Sequence, residues 1–479
     1  MSYKPWPLRR RGAALLVLLA AATACGPDTP TPRPVAPTAT LPPPTVAALV
    51  TAPPGAATST IVPATTVPAA TATAAIIPPT TAPSASGAIT FQIFGEEPES
   101  APFDQLVAAY GSAHPQVTVN LNLIPDQADY QTKLAAAFTA GNPPDVFLVP
   151  YERFGPLADK AVVEPIGPWL SRSPTLHATD FYTVPLAAFT TNGQLQCLPL
   201  TMSSTTIFYN QTLFAQYHVP LPSATWTWQD FLADAQALTK PGGIFGLGVE
   251  PQLDRLAPFI WQNGGDLVDN PDYPSKLTLE TPAAHEAIQY FINLSTAYRV
   301  VPSEAELQGQ DLEARWDDGK LAMLIGARSD TARFRASQGF TWDVAPPPGN
   351  KTRATALQSE AYCIAAASKN KAAAWDFIQF AAGPAGQTLL ARAGRVVPTL
   401  PSVATSPAFL DPTQAPANSK MYLDILPAIR RLPASAAWPA VDAAVNAELD
   451  RGFHNELTVD QTITQMTQQG NRALTAGTK

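Results

Sequence analysis

Cysteine, histidine and charge are all scarce in this chain. Its 479 residues hold 3 cysteines and 5 histidines, and charged residues make up only 14%. The histidines (His114, His177, His218, His285, His454) are scattered, and His285-Glu286 lacks the second histidine four residues on that a zinc-binding helix needs. Neither a metal site nor a cofactor is expected. The chain has no Gly-x-Ser-x-Gly elbow, no phosphate loop and no Gly-x-Gly-x-x-Gly after a strand, which removes the usual sequence handles for acyl transfer and nucleotide chemistry. A net charge of -8, a pI near 5.2 and the lack of a basic tract argue against nucleic-acid binding. Beyond the N-terminal leader no apolar run reaches the roughly 20 residues of a membrane span.

The leader itself is informative. Arg9, Arg10 and Arg11 precede an apolar run from Ala13 to Ala22, about ten residues, too short to cross a bilayer and suited to an export signal. Ala22, Thr23 and Ala24 then lead into Cys25 and Gly26. That junction resembles the lipobox of bacterial lipoproteins, with alanine in place of the usual leucine. The resemblance implies a signal peptide over 1–24 and a lipidated Cys25 that moors the protein to the outer face of the cell membrane. From Gly26 to Ser86 the chain is almost wholly Pro, Thr, Ala and Val, a composition that cannot form a core. Residues 25–87 therefore read as a disordered spacer biased to polyproline II, with a fully stretched reach of roughly 190 Å at ~3.1 Å per residue.

From Gly87 the texture changes over roughly 390 residues, more than one core usually organises, so two lobes are expected. Ile89–Phe94 reads as a buried strand. Phe103, Leu106, Val107 and Tyr110 follow at helical spacing, with Gly111 and His114-Pro115 as stop signals. Val117, Val119, Leu121 and Leu123 alternate as a second strand; Tyr130, Leu134, Ala137 and Phe138 mark a second helix, and Asp145–Val149 a third strand. The order β-α-β-α-β implies parallel pairing, with ligands beyond the carboxyl ends of the strands, at Phe94–Glu97 and Val149–Arg153. Cys197 and Cys363 form an even pair in an exported chain, which permits a disulfide; two separate buried thiols are the alternative.

Carboxylate pairs such as Glu96/Glu97 or Asp266/Asp269 suit a glycosidase only if they face one another, and solvated loop carboxylates are the simpler reading. Tryptophans are more telling, because an indole face packs on a sugar ring. Trp228 and Trp375 fall on amphipathic helical stripes and belong to the core. Trp261, in FIWQNGGD, and Trp438, in SAAWPAV, are the better candidates for ligand contact.

An ordered series of segments then resembles one family. AYGSAHPQVTV, KLAAAFTAGNPPDVFLV, LPLTMSSTTIFYNQTLF, TWTWQDFLADAQALT, FIWQNGGD, WDDGKLAMLIGA, WDVAPPPG, ASKNKAAAWDFIQF and AGRVVPT occur as in the extracellular solute-binding proteins of ABC importers, in the carbohydrate-type group that includes maltodextrin-binding protein. The similarity runs from about Ile89 to Ala473. It implies an α/β, two-lobed periplasmic-binding-protein-like fold of type II, with a hinge and an inter-lobe cleft. The first lobe is expected at 88–203 and 339–385 and the second at 204–338 and 386–479.

The same resemblance implies site residues. Glu152-Arg153-Phe154 matches an acid-Arg-Phe segment whose polar groups hold sugar hydroxyls, and Trp438 matches a stacking tryptophan. The crossing at Met202–Thr206 puts Ser203, Ser204 and Thr205 at the cleft floor. Gln252, Asp254 and Arg255 fall on a sugar-contact loop bordered by Trp261, Asn263 and Asp266. Glu360 and Gln358 replace a glycine-rich stretch. Leu148 and Arg328 stand where the family has tryptophan platforms and Ser203 where it has a carboxylate, so a maltodextrin ligand is not implied. Both cysteines fall on first-lobe strands, which favours their bridge. The expected role is capture of a sugar or oligosaccharide and delivery to an ABC permease, by a monomer without enzymatic activity. An anchored receptor or adhesin of the same fold, and an anchored glycan-cleaving enzyme, are the alternatives.

Overall fold

A computed structural model describes residues 85–337 and 339–477; the leader, Cys25 and the spacer as far as residue 84 lie outside the described residues. The chain opens with β1 (Gly87–Phe94), α1 (Ala101–Ala113), β2 (Val117–Ile124), α2 (Gln127–Thr139) and β3 (Val146–Pro150), then α3 (Tyr151–Asp159), β4 (Val163–Glu164) and β5 (Leu198–Pro199). It crosses through β6 (Ser203–Ser204) into β7 (Thr206–Asn210), α4 (Trp228–Leu238), α5 (Leu253–Gln262), α6 (Pro282–Thr296), β8 (Met323–Gly326) and β9 (Trp342–Ala345). It returns by β10 (Thr355–Gln358) to β11 (Glu360–Ala365), α7 (Lys371–Ala381) and α8 (Pro384–Arg392), and ends through β12 (Ile429–Arg430) in α9 (Trp438–Phe453) and α10 (Val459–Ala476).

The expected β-α-β-α-β order is present, with β1 parallel to both β2 and β3. The first sheet has six strands in the order β2-β1-β3-β11-β4, with β5 also on β11. It is mixed, because β11 runs antiparallel to β3, β4 and β5. As the edge strand, β2 has its apolar face only half covered, and Leu123 is exposed. Phe91 lies at the centre of this lobe, ringed by Phe103, Tyr362 and Phe377. Cys197, just before β5, and Cys363 on β11 are wholly buried there and joined by a disulfide, since pairing of β5 with β11 brings them side by side.

The second lobe is built on the three-stranded sheet β8-β7-β9. Successive side chains of a strand face opposite ways. Thus Phe208 packs on Trp316, Phe334 and Trp342, while Ile207 and Tyr209 join the separate core formed with α4, α5, α6, α9 and α10. In α4 the capping box of Thr227 and Asp230 fixes the start, and Trp228, Phe231, Ala235 and Leu238 form the expected buried stripe.

The three chain crossings meet in a small sheet, β12-β10-β6. One of its strands, Ser203–Ser204, lies within the segment Met202–Thr206. The return lies later than residue 339, because β9 still pairs with β7. Residues of α8, expected in the second lobe, pack on α1 and α7 in the first. No described helix is long and apolar enough to cross a membrane.

Candidate functional site

Helix α3 starts at the carboxyl end of β3, which brings Glu152 and Arg153 to the rim of the first lobe. It lies close against the segment entering α9: a Cβ on Gly155 would stand 2.1 Å from the Ala434 carbonyl oxygen, so only glycine fits there. Arg153 Nη2 then reaches Asp442 of α9 at 3.4 Å. Asp442 in turn accepts from Asn446 Nδ2 at 3.2 Å, and Asn446 Oδ1 accepts the Leu253 amide at 2.7 Å, at the start of α5. Beside it, Arg255 pairs with Asp254 at 3.0 Å, and Gln358 Nε2 of β10 donates to Asp254 at 2.9 Å. One polar network thus joins α3, α5, α9 and the returning crossing.

Glu152 lies within this network half-buried and without an ion-pair partner among the described residues. Burial pushes it up to about 7, and Asp254 and Asp442 add to the effect against its own backbone hydrogen bond and Arg153. Burial also raises Asp442, against the pull of Arg153. Arg255 is held above its ordinary value: its burial disfavours the charged form, but Asp254, Glu250, Asp330 and Glu152 outweigh it.

A second cluster stands behind the β1 loop. Arg395, 1% exposed, donates to both oxygens of Glu360 at 3.0 and 2.8 Å and reaches Glu99 at 3.3 Å. Burial lifts Glu99 to about 7 despite Arg395, with Glu360 and the second-lobe Asp330 raising it further. Among the described residues no three His, Cys, Asp or Glu side chains are placed to share a metal ion.

The residues expected from sequence divide accordingly. Glu152, Arg153, Asp254, Arg255 and Gln358 are brought together; Gln252 is exposed at the cap of α5, and Glu360 belongs to the Arg395 cluster. Ser203 Oγ accepts the Arg328 amide at 3.0 Å, while the hydroxyls of Ser204 and Thr205 are buried without partners. Trp438 is 0% exposed in the second-lobe core, and its indole N–H lacks an acceptor. Trp261 and Asn263 lie outside this network. They sit at the far end of α5, about 12 and 15 Å along the helix from Leu253 at ~1.5 Å per residue. There Trp261 is buried under the Arg430 guanidinium, Asn263 bridges Ala283, Glu286 and Asn350, and Asp266 pairs with Arg430. Arg328 does not form a platform either: its guanidinium is 1% exposed, lies over the rings of Phe409 and Tyr422 and donates to Ser419, and burial lowers it to about 10.

Asp442, Asn446, Glu99 and Arg395 were not anticipated. Asp442 lies four residues after Trp438, on the same side of α9. Glu99 follows the Phe94–Glu97 loop by two residues, and Arg395 lies in the AGRVVPT segment.

The raised carboxyls fix the sign of a pH effect. Glu99 and Glu152 titrate near 7 in the folded protein and near the ordinary 4.5 when unfolded, so the native state holds more protons between those values. Stability without ligand is expected to fall as pH rises from about 4.5 to 7 and then to level off. Thermal melts at pH 5.5 and 8 check this; a higher melting temperature at pH 8 would contradict it.

Residues 105–417 match the family model described as bacterial extracellular solute-binding protein. A binding protein of Brucella abortus is 25% identical over 291 residues, covering 58% of this chain and 67% of the relative. Among solved structures, the ABC substrate-binding protein Lmo0181 of Listeria monocytogenes, in complex with cycloalternan, aligns with a TM-score of 0.76 and 24% identity over 81% of this chain and 99% of that one. An ABC transporter solute-binding protein of Thermotoga lettingae, bound with alpha-D-tagatose, aligns with a TM-score of 0.71 and 20% identity over 81% and 100%.

Proposed function

Because the chain belongs to the bacterial extracellular solute-binding proteins, we propose that it captures a sugar or oligosaccharide between its lobes and presents it to the permease of an ABC importer. The observation that carries this reading is the polar network of Glu152, Arg153, Asp254, Arg255, Gln358 and Asp442, which draws on both lobes and on the crossing between them. Carboxylates and guanidinium forks supply the acceptors and donors that a polyol edge requires. A ligand can favour the closed state only through contacts to both lobes, and closure around a ligand is a known mode of switching. The Listeria protein is bound to cycloalternan and the Thermotoga protein to alpha-D-tagatose, which agrees with a saccharide. A lipid on Cys25 and the spacer behind it would hold this capture device outside the membrane, as a monomer.

Calorimetry on Arg153→Ala tests the reading, with the ligand first found by a thermal-shift screen of mono-, di- and oligosaccharides, since binding to the native state raises the melting temperature. Loss of a charge-assisted hydrogen bond of about 1.5–3 kcal/mol predicts affinity weakened roughly 10- to 100-fold. Unchanged affinity would remove Arg153 from the site.

A further inference from the structure

The two lobes bring more acidic than basic side chains to this polar network. The first lobe contributes Glu99, Glu152 and Glu360; the second contributes Glu250, Asp254, Asp330 and Asp442. Against these seven carboxylates stand three guanidinium groups, and each is already engaged: Arg153 by Asp442, Arg255 by Asp254, and Arg395 by Glu360 and Glu99. Glu152 and Glu250, one from each lobe, have no ion pair among the described residues. Among these groups an acidic ligand would find no unpaired cation, whereas a cationic one would meet Glu152 on one side and Glu250 on the other; the enclosed Arg328, whose Nε and Nη2 have no hydrogen-bond partner, lies over Phe409 and Tyr422 instead.

The repulsion runs across the recess. Asp254 and Asp442 raise Glu152 from the opposite lobe, and Asp330 raises Glu99. Bringing like charges together in a desolvated crevice is unfavourable. A positive group between them reverses the sign, which makes it able to favour closure. Among the described residues no three of these acids are placed to share a metal ion. Independently of charge, polar groups await a partner in the same region. The buried hydroxyls of Ser204 and Thr205 at the crossing have none. Hydroxyl groups supply what these atoms lack.

On the reading that this recess takes a saccharide, we propose that its ligand is an amino sugar carrying a protonated amine, held between Glu152 of the first lobe and the Asp254 and Asp442 carboxylates of the second. Neutral maltodextrin-type sugars leave that charge uncompensated.

The test is calorimetry and thermal shift on the exported protein with β-1,4-linked glucosamine di- and trisaccharide, their N-acetylated counterparts, maltotriose and spermidine. The amine-bearing saccharides are expected to bind at least tenfold more tightly than the N-acetylated ones. Glu152→Gln should weaken them at least tenfold. Equal or tighter binding of an N-acetylated or neutral saccharide, lost in Arg153→Ala, overturns the inference and leaves the sugar-capturing function standing. Binding of spermidine with no saccharide of either charge overturns both.

Discussion

Arg395→Met is expected to destabilise the fold by about 3–5 kcal/mol, the usual cost of removing one partner from a buried ion pair. The guanidinium is almost wholly enclosed, lies over the Phe103 ring and holds Glu360 and Glu99 together. Methionine can fill the space of the stem, but two carboxylates then face each other in a poorly solvated site. Urea unfolding at pH 8 measures the loss. The loss should shrink at pH 5.5, where Glu99, pushed up to about 7, is already neutral. A second replacement, Glu360→Gln, should recover part of it, because one of the stranded charges is removed with the cation. A loss below about 1 kcal/mol at pH 8, the range of an exposed ion pair, would show that Arg395 acts as a surface residue.

Removing the bridge by Cys197→Ser with Cys363→Ser is expected to cost about 5 kcal/mol if chain entropy sets the effect, because the half-cystines are 166 residues apart. Both sulfurs lie in the first-lobe core, so the serine hydroxyls add desolvation to that loss. The bridge ties β11 to the segment before β5, away from α3, α5 and α9, and saccharide affinity at 15 °C should stay within about twofold. Denaturant unfolding and calorimetry on the double variant check the two statements separately. A stability change under about 1 kcal/mol would mean that the unfolded chain gains little freedom when the bridge is absent.

These two sites differ in how they could be read. Counting cysteines permitted the bridge and the family resemblance favoured it, but two separate thiols stayed open until β5 and β11 were seen to pair. Arg395 gave no such signal: its partner Glu99 is nearly three hundred residues earlier, and burial with Glu360 becomes evident only once β1 and β11 lie in one sheet. Trp261 and Asn263 show the converse. They are close in number to Asp254 and Arg255, yet a helix carries residues roughly six to nine apart to opposite ends of a rod at ~1.5 Å per residue, and both serve the second-lobe core and its hydrogen bonds. Arg328 aligns with a tryptophan platform of the family, yet it lies over Phe409 and Tyr422, a segment reached only after the return crossing.

The order of strands and helices, the division into two cores and the family to which the chain belongs were determined by the sequence itself. Hydrophobic period, caps and turn residues act over neighbouring positions, and the landmark segments keep their order along the chain. Only the tertiary structure decided which charged groups oppose one another across the recess, which are enclosed and which keep a partner. Those properties depend on distances between lobes and on exclusion of water, and neither is encoded in the spacing of residues along a segment.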